Sequence, residues 1–242
     1  MNLKDISVIV PTRNEAHNIG TFLHSLPDEV NLVVVDASDD TTPEIIRRLR
    51  PRRTVVLRDP STITRARQLG AGFSTTAWLV FADADVSFHS EYFRRLCRHG
   101  AWDAVYGPKQ SHHEFTRYYR WCAYGQHLSD RLGVPAATGS NLAVRRNALN
   151  AVGGFDPELV CNEDSELIWR VKRAGFAVSY DPSLIVYAHD HRRLYRGLWR
   201  KSIHSIVRCA LLFCNAMPSR WRGSDWGYWS SPEKRPLGPS HR

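Results

Sequence analysis

The sequence predicts an α/β fold in which helices cover both faces of a parallel sheet. Short apolar runs alternate with segments of helical spacing over the first 110 residues. The runs are almost continuously apolar, as is usual for parallel strands that are buried on both faces. The predicted strands are Ile6–Val10, Leu32–Val35, Thr54–Leu57, Ala77–Ala82 and Ala104–Tyr106, and the predicted helices between them are Glu15–Ser25, Thr42–Arg50, Ile63–Phe73 and Glu91–Arg98.

The second half of the chain continues the same alternation after an aromatic and basic segment at residues 111–135, which we interpret as a helix or a mobile loop. The elements predicted beyond it are a strand at Asn141–Val144, a turn at Gly153-Gly154, a helix from Asn162 to Ala174, and strands at Ala177–Tyr180 and Leu184–Tyr187. We therefore expect a catalytic domain over residues 1–190, a basic amphipathic helical extension over 191–222, and an irregular tail over 223–242.

The composition is that of a globular protein with a basic surface. Of the 242 residues, 43% are hydrophobic, which is enough to form a core. Lys and Arg number 33 against 24 Asp and Glu, so the net charge of +9 favours an anionic partner. The five cysteines show no CxxC spacing, which argues against a disulfide framework or a zinc site and for a reducing, intracellular location.

Two carboxylates follow the apolar run at residues 77–82, in the segment Asp83-Ala84-Asp85. Open α/β sheets bind ligands beyond the carboxyl ends of their strands, and Mg²⁺ or Mn²⁺ often binds carboxylates together with the oxygens of a diphosphate. Acidic turns after strands are also common without any metal. The segment by itself leaves both interpretations open.

Polar residues also follow the first two strands. Pro11-Thr12-Arg13-Asn14-Glu15 comes after the first, and Asp36 begins an acidic stretch after the second. A carboxylate there suits the base or ribose of a nucleoside, while Asp39 or Thr41 would cap the following helix. Arg67 lies at the head of the helix before the Asp83 strand, where it would pair with a diphosphate or with acidic side chains.

Seven motifs in this order resemble family 2 glycosyltransferases of GT-A fold, and the resemblance covers residues 6 to 190. They are Pro11–Glu15, Val35–Thr41, Ala66–Gly70, Phe81–Asp85, Thr138–Arg146, Gly153–Asp156 and Asn162–Arg170. The resemblance implies a nucleotide-binding, Rossmann-like mixed sheet flanked by helices. Gln68 and Ala37 depart from the residues that are usual in the family at these positions.

The resemblance also implies a role for each matching residue. Asp164 would be the catalytic base of an inverting transfer, and Asp83, Asp85 and His189 would hold Mn²⁺ or Mg²⁺. The sugar is expected to be a hexose from GDP-mannose or a UDP-sugar. Residues implied in binding this nucleotide-sugar donor are Pro11, Thr12, Arg13, Glu15, Asp36, Arg67, Asp83, Ala84, Gly139, Ser140 and Asn141.

The chemistry agrees with these assignments, although each has a structural alternative. A carboxylate at the head of a helix can take the proton of an acceptor hydroxyl, yet Glu163 and Asp164 would also favour the positive end of the helix dipole. Neutral imidazole makes His189 a reasonable ligand, but a hard cation prefers oxygen.

The stretch from Arg192 to Arg222 has the spacing of a basic amphipathic helix. Such a helix packs on the domain by its apolar stripe or lies in a membrane interface with its cations on anionic lipid. Trp221, Trp226, Tyr228 and Trp229 would then be interfacial anchors. We expect peripheral contact with the inner face of the cell membrane, from the cytoplasm, and a lipid or lipid-linked acceptor.

Three alternatives remain at this point. One is a soluble transferase acting on a small molecule or polysaccharide, and another is a protein that binds nucleotide without catalysis. The third is a nucleic-acid-binding protein, which the acidic strand ends and the clustering of cations after Arg192 disfavour.

Overall fold

The computed structural model describes residues 1–195 and 197–224 of the chain. The strands are β1 (Ile6–Thr12), β2 (Asn31–Asp36), β3 (Thr54–Arg58), β4 (Trp78–Phe81), β5 (Val86–Phe88), β6 (Ala104–Tyr106), β7 (Lys109–Gln110), β8 (Leu142–Arg145), β9 (Val178–Tyr180) and β10 (Val186–Ala188). The α-helices are α1 (Ile19–His24), α2 (Thr42–Leu49), α3 (Ile63–Phe73), α4 (Tyr92–Leu96), α5 (Thr116–Arg131), α6 (Arg146–Ala151), α7 (Glu163–Arg173), α8 (Arg192–Tyr195), α9 (Leu198–Phe213) and α10 (Ser219–Arg222).

Seven strands form a central sheet in the order β3-β2-β1-β4-β8-β6-β9. The four strands β1 to β4 run parallel, as the apolar runs predict. Strand β8 departs from the parallel arrangement that the apolar runs indicate, since it is antiparallel to both β4 and β6. An apolar run has the same composition in either direction, so strand direction could not be taken from it. The sheet is mixed, as the family resemblance implies.

Two apolar clusters cover the two faces of this sheet. Adjacent strand residues alternate between them, so that Val8 packs with α1, α2 and α4 while Ile9 packs with α3 and α7. Both side chains are fully buried, as expected for a sheet between two helical layers. Because β1 to β4 run parallel between these two layers, their carboxyl ends lie at the same edge of the sheet.

A second, three-stranded sheet lies in the order β5-β10-β7. β10 is antiparallel to β5 and parallel to β7. Its register places Ala188 opposite Val86, so the residues that flank these two positions along their strands also lie close together. This small sheet brings His189 beside Asp85.

α1 begins at Ile19, four residues later than the pattern predicts. The backbone N–H groups of Glu15 and Ala16 donate instead to side chains of the loop after β2, Thr42 at 2.9 Å and Asp40 at 3.3 Å. Residues 16–18 form turns before α1, and the two bonds hold this segment against the loop after β2. The aromatic segment at 111–135 is mainly the helix α5.

The basic extension is three helices rather than one. Gly197, with φ of +132°, separates α8 from α9, and Asn215, with φ of +54°, follows the end of α9. Trp226, Tyr228, Trp229 and the rest of the predicted tail beyond Ser224 lie outside the described residues. No helix in the described part of the chain combines the length and the apolar composition that crossing a bilayer requires.

Candidate functional site

The loops after β1 and β2 are joined through the carboxylate of Asp36, which is only 1% exposed. Its Oδ1 accepts hydrogen bonds from Thr12 at 2.7 Å and Ser38 at 2.6 Å, and its Oδ2 accepts one from Arg58 at 3.0 Å. Three donors hold a buried carboxylate in place. The structure therefore uses Asp36 to fix the loops beside the candidate nucleotide pocket.

Further bonds connect the same two loops at Asn14, whose φ of +56° lies in the left-handed region that Asn tolerates. The Asn14 N–H donates to the Ser38 hydroxyl at 2.9 Å, and the Asp39 N–H donates to the Asn14 side chain at 2.9 Å. Pro11 is half-buried and Arg13 is exposed at this edge. The two loops thus form one rim.

Arg67 on α3 connects the donor side of the site to the helix that carries Asp164. Its guanidinium is buried and donates from Nη2 to Asp83 Oδ1 at 2.7 Å and from Nη1 to the buried carboxylate of Glu163. Burial alone would lower the pKa of Arg67, but the carboxylates of Glu163 and Asp83 raise it above its ordinary value. The guanidinium therefore stays charged. Sequence patterns missed Glu163 as its partner.

Asp164 lies directly beside this ion pair, in the first turn of α7. Its Oδ2 accepts a hydrogen bond from the Gly139 N–H and its Oδ1 accepts one from the Ser165 N–H at 2.6 Å. Burial raises the pKa of Asp164, while the Arg67 guanidinium opposes this shift. The carboxylate is thus oriented by backbone donors and is more basic than an exposed aspartate.

Gly139 fits closely between these groups. A Cβ atom at this position would overlap the guanidinium of Arg67. The absence of a side chain lets the loop approach the ion pair and donate to Asp164. The resemblance implied that this loop lies beside the transferred sugar, and the structure brings it to the candidate base.

Asn141, at the end of the same loop, points into the interior and is fully buried. Its Oδ1 accepts from the Tyr92 hydroxyl at 2.8 Å, and its Nδ2 donates to the carbonyls of Pro108 at 3.1 Å and Leu184 at 2.7 Å. These bonds tie the main sheet to the small sheet. Ser140 is buried beside it. The Asn141 side chain therefore supports the loop from behind.

Asp85 lies between β4 and β5 with one oxygen, Oδ1, that is buried and accepts no hydrogen bond from the described residues. Lys109 Nζ is 3.7 Å from this oxygen, which is an ion pair without a hydrogen bond. The His189 N–H donates to the Asp85 carbonyl at 2.9 Å, and the His189 ring is 2.8 Å from the Ser87 hydroxyl. The three residues predicted for metal binding are thus near the same edge.

The donor set around Asp85 fits a hard cation. Burial raises the pKa of Glu15, and the negative charge of nearby Asp85 raises it further. Within the described residues, however, no three His, Cys, Asp or Glu side chains are grouped so as to hold a metal by themselves. The buried, unbonded Asp85 oxygen suits a cation whose remaining ligands come from a diphosphate.

Gln68 departs from the family pattern, and the structure gives it a positioning role. Its Oε1 accepts a hydrogen bond from the Phe155 N–H at 2.9 Å. A Cβ atom on Gly154, which has φ of +76°, would overlap the Gln68 amide. The Gly153-Gly154 turn therefore lets the chain pass close to α3, next to Arg67 on the same helix.

The extension also contacts the site, which the sequence patterns did not predict. Asn162, at the head of α7 with φ of +62°, donates to the Ser205 hydroxyl at 3.2 Å and to Cys209 Sγ at 3.3 Å on α9. Burial, followed by the negative charge of Asp164, raises the pKa of Cys209 to about 11. The inner face of α9 therefore lies against the end of α7 that carries Asp164.

The amphipathic pattern of residues 192–222 predicts that Arg208 on α9 lies on a polar outer face, and the structure places it inside. It is fully buried, and its guanidinium donates to the carbonyls of Trp221 at 3.1 Å and Ser224 at 2.6 Å. Arg222 pairs with Asp156 in the turn before α7. These bonds fasten α10 to the domain.

Solved structures share this architecture. The mannosyltransferase PcManGT from Pyrobaculum calidifontis, in complex with GDP-Man and Mn²⁺, matches with a TM-score of 0.67 and 19% identity. The match covers 91% of this chain and 72% of that one. At this identity the likeness shows the fold, which is GT-A.

Curated relatives match at higher identity. The succinoglycan biosynthesis protein ExoA of Rhizobium meliloti (strain 1021) is 30% identical over 80% of this chain. The pre-mycofactocin glycosyltransferase of Mycobacterium tuberculosis (strain CDC 1551 / Oshkosh) is 28% identical over 80% of this chain. The matched parts are 66% and 44% of the lengths of these two relatives.

The family model described as Glycosyl transferase family 2 matches residues 7–153, which are more than half of the chain. The matched region contains the joined β1 and β2 loops, Arg67, Asp83, Asp85 and the Gly139 loop. We conclude that the chain belongs to glycosyl transferase family 2.

Proposed function

We propose that this protein is an inverting transferase that moves a hexose from a nucleotide-diphosphate sugar to a lipid or lipid-linked acceptor at a membrane surface. The observation that carries the proposal is the buried guanidinium of Arg67, which joins Asp83 at the strand edge to Glu163 beside Asp164. One side chain thereby connects the candidate donor residues to the candidate base.

The donor would bind along the edge formed by the ends of β1, β2 and β4. Thr12 and Asp36 hold the rim, with Pro11, Arg13 and Glu15 beside it and Asp83 and Ala84 below. Open α/β sheets bind nucleotides at such an edge. GDP-mannose and UDP-sugars are both proposed as donors, because no motif in the sequence selects one base over the other.

A divalent cation, Mn²⁺ or Mg²⁺, would be held by Asp85 and Asp83, with His189 as the neighbouring nitrogen ligand. When bound, such a cation supplies Lewis-acid stabilisation of the departing diphosphate. The buried Asp85 oxygen, which has no hydrogen-bond donor among the described residues, supports this assignment. Lys109, 3.7 Å away, adds positive charge on the same side.

Where the acceptor is a hydroxyl, Asp164 would take its proton as the hydroxyl oxygen attacks the anomeric carbon. The new bond forms between that oxygen and the carbon, the bond from the carbon to the phosphate oxygen breaks, and the nucleoside diphosphate leaves with the electron pair. The backbone donors of Gly139 and Ser165 orient the carboxylate, and its raised pKa makes it a better base. A single base opposite the leaving group produces inversion.

The acceptor would be delivered from a membrane by way of the C-terminal helices. The outer face of α9 exposes Ile203, Ile206 and Val207, while its inner face contacts the head of α7 through Asn162. A lipid held at that outer face would keep its polar end near Asp164. We place this peripheral contact on the inner face of the cell membrane.

The proposal is tested with a panel of nucleotide sugars and Mn²⁺, with and without vesicles containing polyprenyl phosphate or a glycolipid. We expect one nucleoside diphosphate to be released, faster with a lipid acceptor. Asp164→Asn, which keeps an oxygen for the Gly139 N–H, should lower turnover by about 10²–10⁴-fold. Asp85→Ala should abolish the Mn²⁺ dependence.

Glu44→Gln is the matched control, since this carboxylate is 65% exposed on α2, and it should turn over like the unmodified protein. Equal turnover of Asp164→Asn and the unmodified protein would contradict the assignment of the base. Faster turnover with a water-soluble acceptor than with any lipid would instead support a transferase for small molecules or polysaccharides.

A further inference from the structure

α5 carries an apolar face that no described part of the chain covers. Trp121 is 74% exposed, Tyr124 60% and Leu132 73%, with Leu128 between them. These positions recur with helical spacing on one side, whereas Tyr119 and Gln126 face the domain and are buried. Contiguous exposed apolar surface of this kind marks an interaction site.

α9 has a second such face. Ile203 is 59% exposed and Ile206 is 67% exposed, and Val207 lies beside them. The opposite side of the helix packs on the domain through Arg208 and Leu212, which are buried. Packing on the domain therefore does not use the outer apolar residues.

The two faces adjoin. The Tyr118 hydroxyl on α5 is hydrogen-bonded to Ser202 on α9, one residue before Ile203. Just before α5, the ring of Phe115 meets the ring of Tyr195 at the end of α8, with centroids 5.0 Å apart. The bond between Tyr118 and Ser202 joins α5 to α9, and the ring contact joins the start of α5 to α8. The outer sides of α5 and α9 therefore adjoin as one surface, which we call the two-helix surface.

Charge selects the partner of the two-helix surface. From Arg192 to Ser224 the chain has eight Lys or Arg and no Asp or Glu. Of these, Arg208 is buried and Arg192 and Arg222 pair with acidic side chains of the domain, so the charge available to a partner rests on at most five of the eight. On α5, Arg117, Arg120 and Arg131 are exposed, and the one acidic residue, Asp130, accepts a hydrogen bond from Tyr106. A second copy of the chain would set cations against cations. An anionic lipid surface complements them, and Trp and Tyr favour its interface.

We propose that the outer faces of α5 and α9 together seat the protein in the headgroup region of an anionic membrane, with Trp121 and Tyr124 inserted. This deepens the proposed function, on which the lipid nature of the acceptor rests. The inner face of α9 touches Asn162 at the head of α7. The two-helix surface is therefore about one helix diameter, roughly 10 Å, from the helix that carries Asp164.

The test is cosedimentation of the full chain with vesicles of phosphatidylcholine, with and without phosphatidylglycerol. The pairs Trp121→Ser with Tyr124→Ser and Ile203→Ser with Ile206→Ser should each weaken binding to the anionic vesicles by at least about tenfold, since burying one large apolar side chain is worth more than a factor of ten. Phe73→Ser is the control, because Phe73 is 51% exposed on α3 and should bind like the unmodified protein.

Brominated lipids give a second readout that does not depend on the total affinity. They should quench the tryptophan fluorescence of the unmodified protein more than that of Trp121→Phe at equal amounts of bound protein. Thermal unfolding identifies any variant that has not folded. The Trp121→Phe substitution removes the indole fluorophore but keeps an aromatic ring at this position.

Binding of the α5 pair at the affinity of the unmodified protein, or equal quenching in Trp121→Phe, would overturn the proposal. A dimer that disappears in the α5 pair, without vesicle binding by the unmodified protein, would also overturn it in favour of contact between copies. Vesicle binding without turnover of any donor would contradict the proposed function and leave the two-helix surface intact. Turnover without vesicle binding would overturn the proposed membrane contact of the two-helix surface while supporting the transferase activity.

Discussion

The strand edge and the two-helix surface satisfy their chemical groups in opposite ways. At the edge, charged groups are taken into the interior and bonded to one another, as in the Arg67 pairs with Asp83 and Glu163. On α5 and α9, apolar groups such as Trp121 and Ile206 are left on the outside. The comparison indicates that most charged groups of the strand edge are paired within the molecule, with the Asp85 oxygen left for a ligand, whereas the apolar groups of the two-helix surface require a partner.

The largest effect that would break this comparison is expected at Arg67. Arg67→Met leaves the buried carboxylate of Glu163 and the half-buried carboxylate of Asp83 without their cation, which should lower the free energy of unfolding by about 3–5 kcal/mol. The double variant Arg67→Met with Glu163→Gln removes one of the stranded charges and should recover part of this loss. Urea denaturation measures both. A loss below about 1 kcal/mol in the single variant would show that the pair is not buried as described.

Gly139→Ala is the next largest change. The added methyl group overlaps the Arg67 guanidinium, so we expect a loss of about 1–3 kcal/mol and a strong decrease in turnover as the Gly139 N–H moves from Asp164. Gly72→Ala on α3 is the matched control, because its added methyl group meets no atom within 4 Å beyond its chain neighbours and the nearby backbone of its own helix. Normal turnover in Gly139→Ala would contradict the close approach of this loop.

A smaller effect is expected where the two regions meet. Ser205→Ala removes the hydroxyl that accepts from Asn162 and should cost about 1 kcal/mol. Asn162→Gly removes the same hydrogen bond but suits the positive φ of this position. Comparing the two variants therefore separates the cost of the lost bond from the effect of backbone strain at residue 162. If both variants turn over lipid acceptor like the unmodified protein, α9 does not position the head of α7.

An effect of similar size is expected at Asp156, where Arg222 fastens α10 to the domain. Burial tends to raise the pKa of Asp156, but the hydrogen bonds from Arg222 and the Glu158 N–H lower it below the ordinary value of 3.8. Its contribution to stability is therefore present above pH 3.8 and is lost as the pH falls through the lower, folded value. Asp156→Asn should cost about 1 kcal/mol at neutral pH and flatten the stability profile below about pH 4. Equal stability profiles for Asp156→Asn and the unmodified protein at acid pH would contradict the ion pair between Asp156 and Arg222.

Much of the fold could be predicted because apolar runs identify buried strands. β1 to β4 lie within two residues of the predicted ranges. The direction of β8 could not be predicted, because the side-chain pattern is independent of strand direction. The start of α1 was also missed, because the segment before it is bonded to Thr42 and Asp40, which are distant in the sequence and are not part of any local pattern.

The position of a candidate residue could be predicted where its motif stands at the end of a strand or the head of a helix, and less so where its partners are distant in sequence. Asp83 and Asp85 lie after β4 and Asp164 lies in the first turn of α7, as their motifs indicate, while their roles stay predictions. The pairing of Arg67 with Glu163 joins residues 96 positions apart, and no local pattern contains it. The inward direction of Asn141 depends on carbonyls at Pro108 and Leu184, which belong to other elements.

The role of Asp164 as the base at a membrane-bound site is tested most directly by measuring nucleoside diphosphate release and vesicle binding together, for the unmodified protein and for Asp164→Asn. We expect the unmodified protein to bind anionic vesicles and to transfer the sugar to their lipid acceptor. Asp164→Asn should bind the same vesicles equally well and release at least about a hundredfold less nucleotide. Release by Asp164→Asn at the rate of the unmodified protein would contradict the assignment of Asp164 as the base and, with it, the account of the site.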